Sequence, residues 1–336
     1  MATARKHFYQ EIDIIKGVAI LLVLLAHSGG VKYISMDQYG WYNIFTGLLR
    51  DFSMPPFFII SGFLFGNSGR KPFWQSMKSK VDRLVVPYFV MSFIILGVRL
   101  LAPALFNRPT GNLGVALILI FFYGYWYWFI YTLFILHVVF TLARPKLTPR
   151  IAVVLMVVLL VIREMHLAHI GFLKIHQAIY FGFFFLLGYI IHTHYARLKK
   201  WLAHPYTIII LSLVYVLGCY YCLTDHIGSL LYYWLMPVCF SLAIWGVCIR
   251  LVPFTHLNKA FSYCGKYSLQ FYLFNGFTLG VSREIFVRVL HVYHPKLLMA
   301  LVFVSTLMLS VAIVETIRRM PKVKYFFGFG KPSKNP

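Results

Sequence analysis

The chain has 336 residues, of which 60% are hydrophobic, 18% aromatic and only 12% charged. A soluble domain carries about 25% charged residues, so this composition excludes an ordinary soluble enzyme and predicts an integral membrane protein in contact with the lipid bilayer. The formal net charge of +23 suggests a nucleic-acid partner at first sight. Its Lys and Arg residues lie in short connections between apolar segments, however, which is typical of orientation signals in membrane proteins. We therefore expect no nucleic-acid binding.

Ten apolar segments are candidates for membrane helices, because a spanning helix needs roughly 20 mostly apolar residues. The apolar segment 111–122 is shorter, and we expect it to be a re-entrant or interfacial approach to the fourth span. Residues 38–50 are amphipathic, which favours a helix lying in the membrane interface. The ten predicted spans cover residues 12–30, 51–67, 84–106, 123–143, 150–166, 177–193, 205–223, 229–251, 265–283 and 297–317.

The distribution of basic residues predicts how these spans are oriented. If the N-terminus lies inside, most of the 32 Lys and Arg residues fall on the connections that face the cytoplasm. Such a bias marks the inner side of a membrane protein. The sequence therefore predicts a single all-α integral membrane domain over residues 1–336, with about ten transmembrane helices and both termini cytoplasmic.

The first span carries three ionisable residues, Asp13, Lys16 and His27. A charged group inside a membrane helix is costly, so such residues often mark a functional site. Lys16 and His27 are about three helical turns apart, which places them on one face of the helix at a separation of roughly 16 Å. Asp13 lies one turn before Lys16 on the same face. Anchoring at the headgroups and a functional role are both compatible with this pattern.

Other candidate residues lie in and beside the next two spans. Pro55 and Pro56 predict a distorted second span, in which Ser61 could line a cavity. Arg99 lies in the outer part of the third span and is a candidate for a functional contact.

Three basic residues precede the third span: Lys78, Lys80 and Arg83. They are either an ordinary positive-inside signal or a docking site for the phosphates of a donor such as coenzyme A. The five cysteines have no metal-site spacing, and we expect neither a metal nor a permanently bound cofactor.

Several motifs occur in an order that resembles the acyltransferase-3 family of integral membrane acyltransferases. The resemblance extends over nearly the whole chain. The motifs are IDIIKG…LLAHSG (12–29), MPPFFIISGFLF (54–65), KVDRLVVPY (80–88), YWFIYTLFIL (127–136), FFFLLGYII (183–191) and GKYSLQFYLFN (265–275).

The resemblance implies transfer of an acetyl or other small acyl group from acyl-CoA, as co-substrate, to a hydroxyl of a cell-surface or lipid-linked saccharide. It places the protein in a bacterial inner membrane. The family's paired basic residue and histidine match Lys16 and His27, although many members carry Arg at the first position. His27 would be a general base or an acyl carrier, and Asp13, Ser61 and Arg83 would line the cavity or the donor site.

In this interpretation Lys78, Lys80 and Arg83 bind the donor's phosphates. The saccharide packs against an aromatic run that contains Trp126 and Trp128. The polar side chains of Ser61 or Arg99 steady the developing oxyanion. A homo-oligomer is compatible with the sequence. The alternative is a transporter or flippase of a glycan intermediate or small anion, although the matched halves common in transporters are not visible.

Overall fold

A computed structural model of the protein describes residues 9–29, 39–69, 71–101, 112–167, 170–225 and 230–329. Within these ranges the chain forms helices joined by short connections, and no strand occurs there. Only a helix or a closed barrel satisfies every backbone polar group in a membrane. The all-α class predicted from composition is therefore confirmed for the described residues.

Fifteen α-helices are described. Three π-helical turns, Val81–Val85, Leu231–Leu235 and Ile285–Val289, adjoin α5, α12 and α14 respectively. The α-helices are α1 Gln10–Ser28, α2 Gly40–Phe52, α3 Pro55–Asn67, α4 Phe73–Lys80, α5 Val86–Leu101, α6 Leu113–Tyr123, α7 Trp128–Ala143, α8 Pro149–Glu164, α9 Ile175–Thr193, α10 Tyr195–Leu202, α11 Pro205–Asp225, α12 Met236–Leu251, α13 Thr255–Lys266, α14 Ser268–Glu284 and α15 Pro295–Arg318.

Five helical stretches in the described ranges are long and apolar enough to cross a membrane. They are Phe73–Leu101, Phe172–Thr193, Pro205–Cys222, Leu231–Leu251 and Pro295–Arg318. A sixth is the pair formed by α6 and α7, which bends by 41° between its two helices. Gly124 ends α6 with a φ of 52°, a left-handed conformation that glycine adopts readily. The bend directly follows the segment 111–122, which was predicted to be a re-entrant or interfacial approach to the fourth span. The structure thus supports a multi-pass membrane protein.

Two predicted boundaries differ from the observed ones. Pro55 and Pro56 occupy the first turn of α3, so they begin a new helix instead of distorting a continuous span. Proline is well suited to that position, because the first helical N–H groups have no partner within the helix. The third predicted span begins earlier than expected, at Phe73, because α4 continues through a π-helical turn into α5.

The chain divides into two compact units. The first unit consists of Met1–Gly69 and Phe184–Ser310. Its centre is α1, which packs against α2, α3, α12, α13 and α14. Gly17 and Gly265 allow the backbones of α1 and α13 to touch, since a Cβ on Gly265 would collide with the carbonyl oxygen of Asp13. Small residues at a helix interface permit this close approach in membrane proteins.

The second unit consists of Arg70–Phe183 and Val311–Pro336. In it α7 packs against α4 and the adjoining π-helical turn Val81–Val85, and the short 3₁₀ turn Lys324–Phe327 packs against α5. The Tyr88 hydroxyl of α5 donates a hydrogen bond to the carbonyl oxygen of Ile120 in α6. These contacts position the basic segment 78–83 within the second unit.

Candidate functional site

His27 lies in the last turn of α1, and its side chain is exposed. Its Nδ1 lies 2.8 Å from the carbonyl oxygen of Val23, one turn earlier. A bond to a carbonyl requires the proton to be on Nδ1, so a neutral imidazole here carries its lone pair on Nε2. The helix thereby fixes the tautomer and presents a proton acceptor at its end.

Asp13 and Lys16 form an ion pair on α1, with Nζ 2.5 Å from the carboxylate oxygen. Both side chains are largely buried, at 25% and 23% exposure. The pair confirms that the two residues share one face of the helix, as the spacing predicted. Each charge compensates the other, which lowers the cost of holding them in an apolar bundle.

Arg283 of α14 reaches the same end of α1 as His27. Its Nη2 donates a hydrogen bond to the His27 carbonyl oxygen. Its Nε is buried and has no hydrogen-bond acceptor among the described residues. The sequence analysis did not single out Arg283 as a site residue. The only signal was a charge at the end of a predicted span, on the side where basic residues are scarce.

The α2 helix packs against this end of α1. A Cβ on Gly29 would collide with the ring of Tyr42, so the backbone next to His27 is in contact with that aromatic side chain. Tyr42 is 6% exposed and packs in a core cluster with residues of α14, α15 and the π-helical turn Ile285–Val289. His27, Arg283 and Tyr42 therefore converge on one corner of the first unit.

Ser61 is also in the first unit, on α3, and its hydroxyl donates a 2.8 Å hydrogen bond to the carbonyl oxygen of Phe57. A hydroxyl has a single proton to donate. In this conformation Ser61 can accept a hydrogen bond but cannot donate one to an oxyanion. Its neighbour Gly62 lies against the backbone of Phe185, so this part of α3 is also a close helix contact.

A buried polar cluster holds the other end of α1. The carboxylate of Glu11, only 3% exposed, accepts hydrogen bonds from Tyr195 Oη at 2.6 Å and from Lys199 Nζ at 2.7 Å. Trp245 Nε1 donates to the Tyr195 hydroxyl at 3.1 Å. The sequence analysis did not single out any of these residues. They fix α1 against α10 and α12, so we assign them a structural role.

The predicted donor residues lie in the second unit. Lys78 and Lys80 end α4, and Arg83 lies in the π-helical turn Val81–Val85. Lys78 and Arg83 are exposed, whereas Lys80 is half-buried. The nearby Asp82 accepts a 2.6 Å hydrogen bond from Tyr325, and this bond raises the pKa of the Tyr325 hydroxyl. The result is a short segment with three cations and one carboxylate.

The predicted acceptor residues Arg99, Trp126 and Trp128 are also in the second unit. The Arg99 guanidinium lies 5.1 Å from the centre of the Trp126 ring, within range of a cation–π interaction. Trp128 stacks on Phe181 at a centroid distance of 5.4 Å. The structure thus brings Arg99 and Trp126 together, while Trp128 packs against Phe181 of α9. Among the described residues no group of three or more His, Cys, Asp or Glu side chains could hold a metal ion.

Comparison with known proteins identifies the family of the chain. The model of the acyltransferase-3 family, described as an acyltransferase domain, matches residues 9–315. No curated protein and no solved structure matches the chain. The match includes the motifs from which the resemblance was inferred, and it covers both compact units. The chain therefore belongs to the acyltransferase-3 family and is a multi-pass membrane acyltransferase.

Proposed function

We propose that the protein transfers an acetyl or other small acyl group from cytoplasmic acyl-CoA to a hydroxyl of a cell-surface or lipid-linked saccharide, in a bacterial inner membrane. The proposal rests on the position and hydrogen bonding of the His27 imidazole. Its Nδ1 is bonded to Val23, its side chain is exposed at the end of α1, and it lies in a chain that belongs to an acyltransferase family.

The proposed chemistry needs one proton acceptor and one activated acyl group. Nε2 of His27 takes the proton of the saccharide hydroxyl as its oxygen attacks the thioester carbonyl. The carbon–sulfur bond then breaks, and the proton passes to the departing thiolate of coenzyme A. The products are the acylated saccharide and free coenzyme A. In the alternative route, Nε2 of His27 attacks the thioester and the carbon–sulfur bond breaks to give an acyl-imidazole and the thiolate of coenzyme A. The saccharide hydroxyl then attacks the acyl carbon, the carbon–nitrogen bond breaks, and the hydroxyl proton passes to the thiolate.

Lys78, Lys80 and Arg83 are proposed to bind the phosphates of the donor. Phosphate binds strongly to Lys and Arg through charge-assisted hydrogen bonds. Two of the three side chains are exposed, so they are accessible to a soluble donor. Acyl-CoA would act as a co-substrate and not as a resident cofactor.

Arg99, Trp126 and Trp128 in the second unit are proposed to contact the saccharide. Arg99 and Trp126 already form a cation–π pair, and Trp128 offers a second aromatic face to the apolar side of a sugar ring. The Asp13–Lys16 ion pair would provide charged groups on the same helix as His27, about three turns nearer the N-terminus.

The topology we propose has ten spans with both termini in the cytoplasm. Six spans correspond to the long stretches described above, counting the bent pair as one. The other four correspond to α1, α3, α8 and α14, which have 19, 13, 16 and 17 residues. The α1 helix has the length of a span but carries Glu11, Asp13 and Lys16. The other three are shorter than the roughly 20 residues of an ideal span.

Replacing His27 with Ala tests the proposal in purified protein reconstituted into vesicles. We expect CoA release in the presence of a saccharide acceptor to fall by about 100-fold or more, since a general base contributes roughly 10²–10⁴ in rate. Mass spectrometry should show loss of the mass added by one acyl unit. His256→Ala is a matched control, because His256 is exposed at the start of α13.

The assignment of His27 is wrong if the His27→Ala protein acylates the saccharide at the rate of the unmodified protein. Saccharide movement across the vesicle membrane without CoA release would instead favour the transporter.

A further inference from the structure

The corner of the first unit that contains His27 also contains the basic side chain of Arg283. Arg283 bonds to the last turn of α1 through Nη2, which is an ordinary way for a basic side chain to satisfy a helix C-terminus. This uses one of the five N–H donors of a guanidinium. The buried Nε has no acceptor among the described residues, although a buried donor without an acceptor is destabilising.

Two consecutive aromatic residues of α2 bring a second cation into this corner. Tyr42 packs in one cluster with Leu279 and Val287, which lie one turn before and one turn after Arg283 in the chain. The neighbouring Trp41 ring lies 5.9 Å from the ring of Tyr42, and Lys296 Nζ lies 5.6 Å from the centre of the Trp41 ring. Lys296 thus lies beside the aromatic pair of α2, and its side chain is exposed.

The neighbouring basic residue serves as a contrast. Arg288 follows in the π-helical turn Ile285–Val289, and its Nε lies 2.9 Å from a carboxylate oxygen of Glu284. Its charge is therefore compensated within the protein. No described carboxylate forms an ion pair with Arg283 or Lys296. Among the described residues, this corner consequently carries net positive charge, on the side of the membrane where the proposed topology has few basic residues.

We propose that Arg283 and Lys296 bind an anionic group of the acceptor, a phosphate or a carboxylate, and so place a nearby hydroxyl at His27. The inference rests on the proposed function and narrows its substrate class to acidic saccharides or saccharides linked through phosphate. A guanidinium with unused donors fits the planar pair of oxygens of either group. Lys296 adds a second charge, while the Nη2 bond holds the guanidinium against the backbone of the proposed base.

The test compares acceptors that differ only in charge. The protein is reconstituted in bilayers of neutral phosphatidylcholine with acetyl-CoA as donor. Acceptors are a saccharide ending in a uronic acid, its carboxyl-reduced neutral counterpart, and the same neutral saccharide bearing a phosphate. We expect kcat/KM for at least one anionic acceptor to exceed that for the neutral one by about tenfold or more, because a hydrogen bond to a charged group is of that strength. The preferred anion identifies the group.

Arg283→Gln should remove this preference by raising KM for the anionic acceptor, with little change in kcat/KM for the neutral one. Arg283→Lys should restore part of it, since the charge returns without the planar donor pair. Lys296→Ala should have a smaller effect in the same direction. Arg288→Gln is the matched control and should behave like the unmodified protein, because its charge is already paired with Glu284.

Three results would overturn the inference. The first is equal use of charged and neutral acceptors by the unmodified protein. The second is an Arg283→Gln variant that loses kcat for every acceptor alike, which would make Arg283 only a cap of α1. The third is an effect of Arg283→Gln on activity that depends on anionic lipid in the bilayer and not on the charge of the acceptor. That result would show that the corner binds lipid headgroups. Failure of the proposed function is distinguishable, since no CoA would then be released with any acceptor.

Discussion

At the scale of single residues, the carboxylate of Glu11 is a buried charge that needs compensation. A buried charge is tolerated only when it is paired and hydrogen-bonded. Glu11 meets this requirement through Lys199 and Tyr195, and Tyr195 is in turn held by Trp245. Tyr9 and Phe63 add edge-on ring contacts to Tyr195. One hydroxyl therefore links the start of α1 to α10 and α12.

Tyr195→Phe should destabilise the protein by roughly 1–3 kcal/mol. The substitution keeps the ring contacts but removes one donor to Glu11 and the acceptor of Trp245 Nε1. Thermal unfolding in detergent, followed by tryptophan fluorescence, measures the change. Tyr206→Phe is the control, because Tyr206 is 70% exposed and loss of its hydroxyl should have little effect. Equal melting temperatures for both variants would show that the Glu11 cluster contributes no stability.

At the scale of helices, the contact between α1 and α13 depends on glycine. A side chain at Gly265 would meet the backbone of Asp13, and one at Gly17 would meet the backbone of Phe261. A backbone atom cannot move aside by changing a rotamer. Any side chain at either position must therefore separate α1 from α13, and it would disturb the helix that carries the Asp13–Lys16 pair and His27.

Gly265→Ala should destabilise the protein by about 1–3 kcal/mol or more, as overpacking does in a close contact. Gly276→Ala is the opposite case. Gly276 lies inside α14 with nothing within 4 Å of an added Cβ, so alanine should stabilise the helix by roughly 0.5–1 kcal/mol. Melting temperatures of the purified variants should therefore shift in opposite directions. A neutral Gly265→Ala would mean that α1 and α13 are less tightly packed than described.

Much of the helical architecture could be predicted because hydrophobic length is a property of local sequence. The five long stretches overlap predicted spans, and the bend between α6 and α7 follows the predicted re-entrant or interfacial segment 111–122. Helix ends were harder to predict, since proline either interrupts a helix or begins one. The charged residues before the third span suggested a loop, yet Lys78 and Lys80 lie in α4. Their charges are compatible with a helix whose surface faces water or headgroups.

At the scale of the whole molecule, the candidate site was only partly predictable. The Asp13–Lys16 pair follows from helical periodicity, and His27 from the same helix combined with the family resemblance. Arg283 lies 256 residues after His27 in the sequence, and no periodicity relates them. Its role depends on how α14 packs against α1. The same applies to Glu11 with Tyr195 and Lys199, since a long-range contact has no local signature.

The proposed topology makes a prediction that chemical labelling can test. In a variant whose five native cysteines are replaced, single cysteines are introduced at Lys78, Lys296 and Arg319, all of which are exposed. Lys296 lies near the start of α15, and Arg319 follows its end. The 24 residues of that helix extend about 36 Å, enough to cross the bilayer. We expect the two ends to react on opposite sides.

An impermeant maleimide should therefore label Lys296→Cys in intact cells stripped of outer barriers, and should label Lys78→Cys and Arg319→Cys only in inverted vesicles. The physical reason is that a charged reagent cannot cross the apolar core, while positions 78 and 319 lie in basic segments that the proposed topology assigns to the cytoplasmic side. Labelling of Lys78→Cys and Lys296→Cys from the same side would contradict the topology. It would also separate the proposed donor residues from cytoplasmic acyl-CoA or place the Arg283 corner on the wrong side for an external acceptor.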